Sequence, residues 1–350
     1  MSRVQSAATL GAGSLAAKIA AGATSADAVA RIKRTMLWGV ALLWLLDAGL
    51  QAQPRMFTID FISNIMKPSI AISPSFIGAL SNWTLTFVTP RIALFNWLFT
   101  ITQFVVAFAL LRGLLRRNQN LIRSGLLLSI GWGMVVWVAG EGTSGVFTGN
   151  GTLFTGAPGS VFLYMAVAVF YLLPDSWWQF GDRFCLPRDF LALVFLYGGV
   201  AQAVTPGFWG SRGISILIVG QASMAPSWMI NTMLPMVSLT HQYPVISNAV
   251  LAASFLALAG LLFGREPKTL GFLLMVPVLG VVWYWGQAFG GIFSGMGTDP
   301  NTIPPMLILA IPAFLVWRTS RQLHQPRGLG AERGARSPAA PGSSIVKPGD

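Results

Sequence analysis

The sequence predicts an all-α fold, a polytopic transmembrane helix bundle of eight spans arranged as two parallel four-helix repeats. Three observations predict it. The 350-residue chain is 54% hydrophobic and only 10% charged, where a soluble domain carries about 25% charged residues. That shortfall, combined with long uncharged apolar runs, places most of the chain in a bilayer. The basic residues gather in short clusters between the apolar runs. Finally, the stretch Gly140-Glu141-Gly142-Thr143-Ser144-Gly145-Val146-Phe147-Thr148-Gly149-Asn150-Gly151-Thr152 recurs 146 positions later, from Gly286-Gln287 to Gly297-Thr298. At that offset Val135-Val136-Trp137 falls on Val281-Val282-Trp283, and Pro158 on Pro304. A glycine-rich loop repeated after an apolar helix implies a duplicated bundle with two similar loops on one face.

The elements follow in order. Residues 1–30, rich in Ala, Gly and Ser, lack the apolar run of a cleavable signal peptide and form a disordered or surface tail. The first repeat occupies 31–175, with spans at 36–53, 92–111, 121–139 and 159–173. The second occupies 176–320, with spans at 189–204, 244–263, 269–287 and 303–318. In each half a first helix leads to a long outer loop (54–91 and 205–243), and two helices follow across a short basic inner turn. The glycine-rich outer loop and a short fourth helix complete the unit. The outer loops are themselves apolar in places: Ile214 to Val219 and the Met229, Met233, Met236 spacing predict segments lying on the membrane or dipping into it. Residues 321–350, rich in Pro, Gly, Ser and Arg, form a disordered basic tail.

Charge sets the orientation. With a cytoplasmic N-terminus, the inner ends hold Arg31, Lys33 and Arg34; Arg112, Arg116, Arg117 and Arg123; Arg183 and Arg188; Arg265 and Lys268; and Arg318, Arg321 and Arg327. The outer side holds only Arg55, Lys67, Arg91 and Arg212, so the bias is fourteen against four. Both termini are therefore expected in the cytoplasm, in a multi-pass plasma-membrane protein whose first partner is the lipid bilayer. The same placement of charge excludes nucleic acid as a partner, despite the net charge of +12.

The chemistry-bearing residues are few. Asp47 lies near the outer end of the first span and Glu141 at the outer end of the third, aligned with Gln287. An ionisable residue at membrane depth costs about 2.5–3.5 kcal/mol on insertion scales, so it faces a cavity, a partner such as Arg55 or Arg91, or solvent at a helix end. Asp47, Gln53, Glu141, Gln202, Gln221 and Gln287 are the candidate lining of one outward-facing polar cavity. The repeated glycines Gly145, Gly149, Gly151, Gly291, Gly295 and Gly297 either close turns or present backbone groups to an ion. Asp299 reads as a turn or N-cap residue for the last helix. Met56, Met66, Met224, Met229, Met233, Met236 and Met296 fall on the outer side with His241, a soft-donor set that suits Cu(I), but methionine equally fills apolar gaps, so no metal is expected. The one cysteine, Cys185, excludes an intrachain disulfide. No nucleotide, haem or hydrolase motif is present, and neither catalytic residues nor a cofactor are expected.

Asp47-Ala48-Gly49-Leu50-Gln51-Ala52-Gln53-Pro54-Arg55-Met56-Phe57, with its looser counterpart Tyr197 to Trp209, resembles the end of the first helix in DoxX/DoxD-type four-helix membrane proteins. Glutamine (Gln51 or Gln53, and Gln202) stands where that family usually carries a basic residue. The resemblance implies a duplicated four-helix unit and a quinone-linked redox accessory subunit with a membrane or redox protein partner. The residues themselves suggest a non-enzyme that binds or transports a small or amphipathic ligand through a cavity between the repeats. A third reading is a structural or assembly protein whose glycine loops only close turns.

Overall fold

A computed structural model describes residues 27, 29–178, 186–263, 269–311 and 314. The expected C-terminal tail, residues 1–26 of the N-terminal one, Cys185, His324 and the inner basic residues Arg183, Arg265, Lys268, Arg318, Arg321 and Arg327 lie outside the described residues, whereas Val29, expected in the tail, is helical and buried in the core. Among those described there are helices and turns and no strand.

Helix α1 covers 29–51, and Pro54–Phe57 turns the chain out of it as a 3₁₀ turn. Helix α2 (59–71) contains a π turn at Ile62–Met66. Helix α3 is Ser75–Val88 and α4 Ile92–Arg116. Helix α5 runs Gln119–Gly140 and ends in a π turn at Val136–Gly140; α6 is Ser160–Leu172. The second half repeats the order. Helix α7 is Leu186–Val204, followed by the 3₁₀ turn Pro206–Trp209. Helices α8 (Gly213–Ala222), α9 (Ser227–Gln242) and α10 (Pro244–Phe263) follow. Helix α11 (269–286) ends in a π turn at Val282–Gly286, and α12 covers 303–311.

The stretches 54–91 and 205–243, expected as long loops, are helical hairpins. Helix α3 even runs on into α4 through a 3₁₀ turn, giving one continuous helical stretch Ser75–Arg116 of 42 residues. The physical reason is that these stretches are apolar enough to leave bulk water, and backbone that does so must bond to itself, which a helix achieves locally. Phe76, Trp83 and Phe87 on α3 are exposed, as are Trp228, Leu234 and Leu239 on α9.

Among the described residues, three helical stretches are long and apolar enough to cross a membrane: Ser75–Arg116, Gln119–Gly140 and Pro244–Phe263. Leu94, Trp97, Leu98, Ile101, Val105 and Phe108 of α4 are exposed, an apolar surface suited to lipid. Its opposite face buries Val106, Ala107 and Leu110 in the main core with α1, α6, α7 and α10. The α4–α5 turn is short because Arg117 takes a left-handed φ of 52° and Asn118 caps α5 by accepting from Leu121 N.

Several local features occur twice. Gln51 Nε2 donates to Asn96 Oδ1, and Asn96 Nδ2 returns a bond to Gln51 O at 3.0 Å. Gln202 and Asn248 do the same, the second bond being 3.1 Å. Trp137 Nε1 donates to Pro158 O at 2.7 Å, and Trp283 Nε1 to Pro300 O at 2.8 Å. The structural partner of Pro158 is thus Pro300, not Pro304: the second glycine loop closes four residues sooner, and a single fixed offset misaligned its end.

Candidate functional site

The acids settle near one another. Asp47 on α1 is buried at 1% exposure, and half-buried Glu141 directly follows the π turn of α5. The site's third acid is Asp299, beyond the second glycine loop, and the three carboxylates are within electrostatic range of each other. All three line one cavity of about 260 Å³. Its walls include Trp44, Phe61, Phe95, Phe99 and Trp132, and Gln103 of α4 reaches in from the side.

Three of the cavity's polar atoms lack partners. Asp47 Oδ1, Gln103 Oε1 and Trp132 Nε1 are buried without a hydrogen bond. The Tyr164 hydroxyl stands beside Asp47, close enough to interact but outside hydrogen-bonding geometry. Arg55 pairs with Asp60 at 3.0 Å instead of with Asp47. Trp44, by contrast, is fixed: its Nε1 donates to Ser129 Oγ at 2.8 Å, and its ring meets Tyr164 edge-on. Buried polar groups in native structures are nearly always bonded, so each orphan here calls for an explanation.

Glu141 is held more firmly. Ser160 Oγ donates to Oε1 at 3.0 Å and Ser144 Oγ to Oε2 at 3.3 Å. Gly159 makes the room, since a Cβ there would stand 2.1 Å from Oε2. Burial, with the Asp299 carboxylate adding to it, pushes Glu141 up to about 8 from its ordinary 4.5. Between those values the folded chain holds a proton on Glu141 that the unfolded chain has released, so this group's contribution to stability is full below pH 4.5 and is lost as pH rises through 8. Glu141→Gln is expected to flatten that fall: thermal midpoints of the two proteins should diverge with rising pH, the variant ending higher. Parallel curves from pH 5 to 9 would contradict it.

The remaining candidates separate. Gln53 lies outside the cavity, its Oε1 unpartnered and near Gly295. Gln202 is taken up by Asn248 and by Thr152, whose Oγ1 donates to it at 2.6 Å. Gln287 braces two loops, donating to Leu153 O at 3.2 Å and to Thr302 Oγ1 at 2.8 Å. Gln221, on α8, is half-buried and does not line the cavity. The glycines work in pairs. A Cβ on Gly145 would stand 2.8 Å from Gly151 N, and one on Gly297 2.7 Å from Gly291 C, so each loop folds onto itself through its glycines. Gly149 and Gly295 take positive φ at the loop tips. The hairpin tips dock there: Thr148 Oγ1 donates to Ile72 O at 2.8 Å, and Met224 packs on Gly291. The outer methionines Met56, Met66 and Met296 share one apolar cluster, while Met229 and Met233 belong to the main core.

Sequence reading missed Gln103 and Trp132 and saw only the turn in Asp299. That turn exists, with Asn301 N donating to Asp299 Oδ1 at 2.7 Å and Thr298 Oγ1 to Oδ2 at 2.9 Å.

A second cavity, of about 680 Å³, lies in the other half against Val278, Val281, Val282 and Trp285. These positions match Trp132, Val135, Val136 and Ala139 of the first cavity at the 146-residue offset. No acid lines it among the described residues. With Gln51 matched to Gln202, Asp47 corresponds to Gly198, and Asp299, which precedes Pro300 as Ala157 precedes Pro158, corresponds to Ala157. Leu153 packs against Gly198, where a Cβ would approach its own Cβ to 2.7 Å. Where the first half carries Asp47, the second therefore has a glycine packed on leucine. The chain matches no protein-family model, no curated protein and no solved structure.

Proposed function

We propose that this chain is an eight-span plasma-membrane protein, two parallel four-helix repeats with both termini cytoplasmic, that binds and carries a small ligand through an outward-facing cavity. The repeat is supported by the paired Gln–Asn and Trp–Pro bonds and by the two π turns. The function rests on one observation: the cavity of Asp47, Glu141 and Asp299 joins three acids to buried polar atoms with no protein partner, while the wall of its counterpart holds no acid among the described residues and one such atom, Trp285 Nε1. A purely structural interior would gain stability by filling or neutralising such a site. A concave apolar chamber with a few convergent polar groups is the usual form of a ligand site.

Cysteine accessibility tests this. On a Cys185→Ser background, Ala139→Cys in the cavity wall is expected to react with a membrane-impermeant maleimide on intact cells. Arg116→Cys should react only after permeabilisation. Labelling of both from one side, or an inert Ala139→Cys under all conditions, contradicts the proposal.

A further inference from the structure

We propose that the ligand of this cavity is a small organic cation, an ammonium head carried on an apolar body; the inference rests on the cavity being a binding site. Its charge complement is one-sided. Asp47, Glu141 and Asp299 line it, and no Lys, Arg or His does among the described residues. Of the three unpartnered atoms in its wall, Trp132 Nε1 is a donor, while Asp47 Oδ1 and Gln103 Oε1 are acceptors on residues 1% and 6% exposed. Two buried acceptors call for a donor, and beside carboxylates the donor that gains most is a charged one.

The walls select against a bare ion. Among the described residues, no three acidic or histidine side chains converge closely enough to hold one metal. The carboxylates are instead spread along a chamber faced by aromatic rings. Trp132 and Phe99 lie against each other with centroids 5.6 Å apart, and Trp44 is locked by its bond to Ser129. Aromatic faces hold ammonium groups at up to about 2 kcal/mol when desolvated and also cover an apolar body. At roughly 30 Å³ per water in the liquid, the cavity of about 260 Å³ suits a molecule of on the order of ten heavy atoms. The second half provides an internal contrast: with Gly198 in place of Asp47, the matching cavity has no acid in its lining among the described residues.

Proton linkage accompanies the charge. Glu141 faces Asp47 of α1, Tyr164 of α6 and Asp299 of the second glycine loop, with Ser144 and Ser160 as its donors. A cation entering this group displaces protons, so its binding should tighten as pH rises toward 8.

The experiment uses the full chain in detergent, with Ala139→Cys on the Cys185→Ser background as reporter. The probes are phenethylammonium, the neutral phenethyl alcohol and the anion phenylacetate, each titrated for protection of the cysteine from maleimide. Phenethylammonium is expected to protect at a concentration at least about tenfold lower than the alcohol, a difference of about 1.4 kcal/mol, and phenylacetate not to protect. Asp47→Asn and Gln103→Leu, each checked for an unchanged thermal midpoint or a higher one, should each raise the half-protecting concentration of the cation about tenfold. Equal protection by the alcohol, stronger protection by phenylacetate, or none by any probe overturns the cation assignment while leaving a reactive cavity in place. A cysteine that never reacts instead removes the cavity reading beneath it.

Discussion

Gly290→Ala is expected to destabilise the protein by roughly 2–5 kcal/mol, the sum of a left-handed residue bearing a side chain and an overpacked contact. Gly290 has a φ of 70°, and a Cβ there would stand 2.2 Å from Asp299 O and 2.6 Å from Pro300 C. Both are backbone atoms, so relief requires the loop itself to move, taking Asp299 out of the acidic cavity. Gly149→Ala is the control: its φ of 72° is equally unfavourable, but nothing lies within 4 Å of the added carbon. That variant should lose only about 1–2 kcal/mol. Denaturant titrations in detergent that gave equal losses for the two would remove the close approach as the cause.

Asp47→Leu should act in the opposite direction, stabilising the protein by about 1–3 kcal/mol while ending ligand binding. Asp47 is buried, its Oδ1 has no hydrogen-bond partner, and no cation pairs with it among the described residues. Leucine keeps the same branching at Cγ without those liabilities, and its bulkier methyls have the adjoining cavity to occupy. Most core substitutions destabilise, so a gain in thermal midpoint coupled to lost binding would mark a residue retained for its chemistry. A drop in midpoint would instead give Asp47 a structural role.

Much of this architecture was legible because it is written in features that survive averaging. Apolar runs marked α10 at 244–263 to the residue, and α5 and α6 within a few. The glycine repeat was legible because each loop folds on itself through close glycine pairs that no other residue can replace. The hairpins of 54–91 and 205–243 were less visible: their prolines and short lengths resemble loop punctuation, although proline also opens 3₁₀ turns and helices here. At the site, Asp47 and Glu141 stood out because charge is rare in apolar helices. Gln103 and Trp132 did not, since one glutamine and one tryptophan on membrane helices look like ordinary polar spacing and belt residues. Asp299 was half legible: its Asx turn is local and readable, but its approach to Asp47 crosses the whole chain.

That crossing has a mechanical result. Asp47 belongs to the first half and meets a loop of the second, while Gly198 belongs to the second and meets Leu153 of the first. Each half therefore supplies one member of both approaches. A side chain at position 198 would meet Leu153 at 2.7 Å, so Gly198→Ala forces one of the two walls aside.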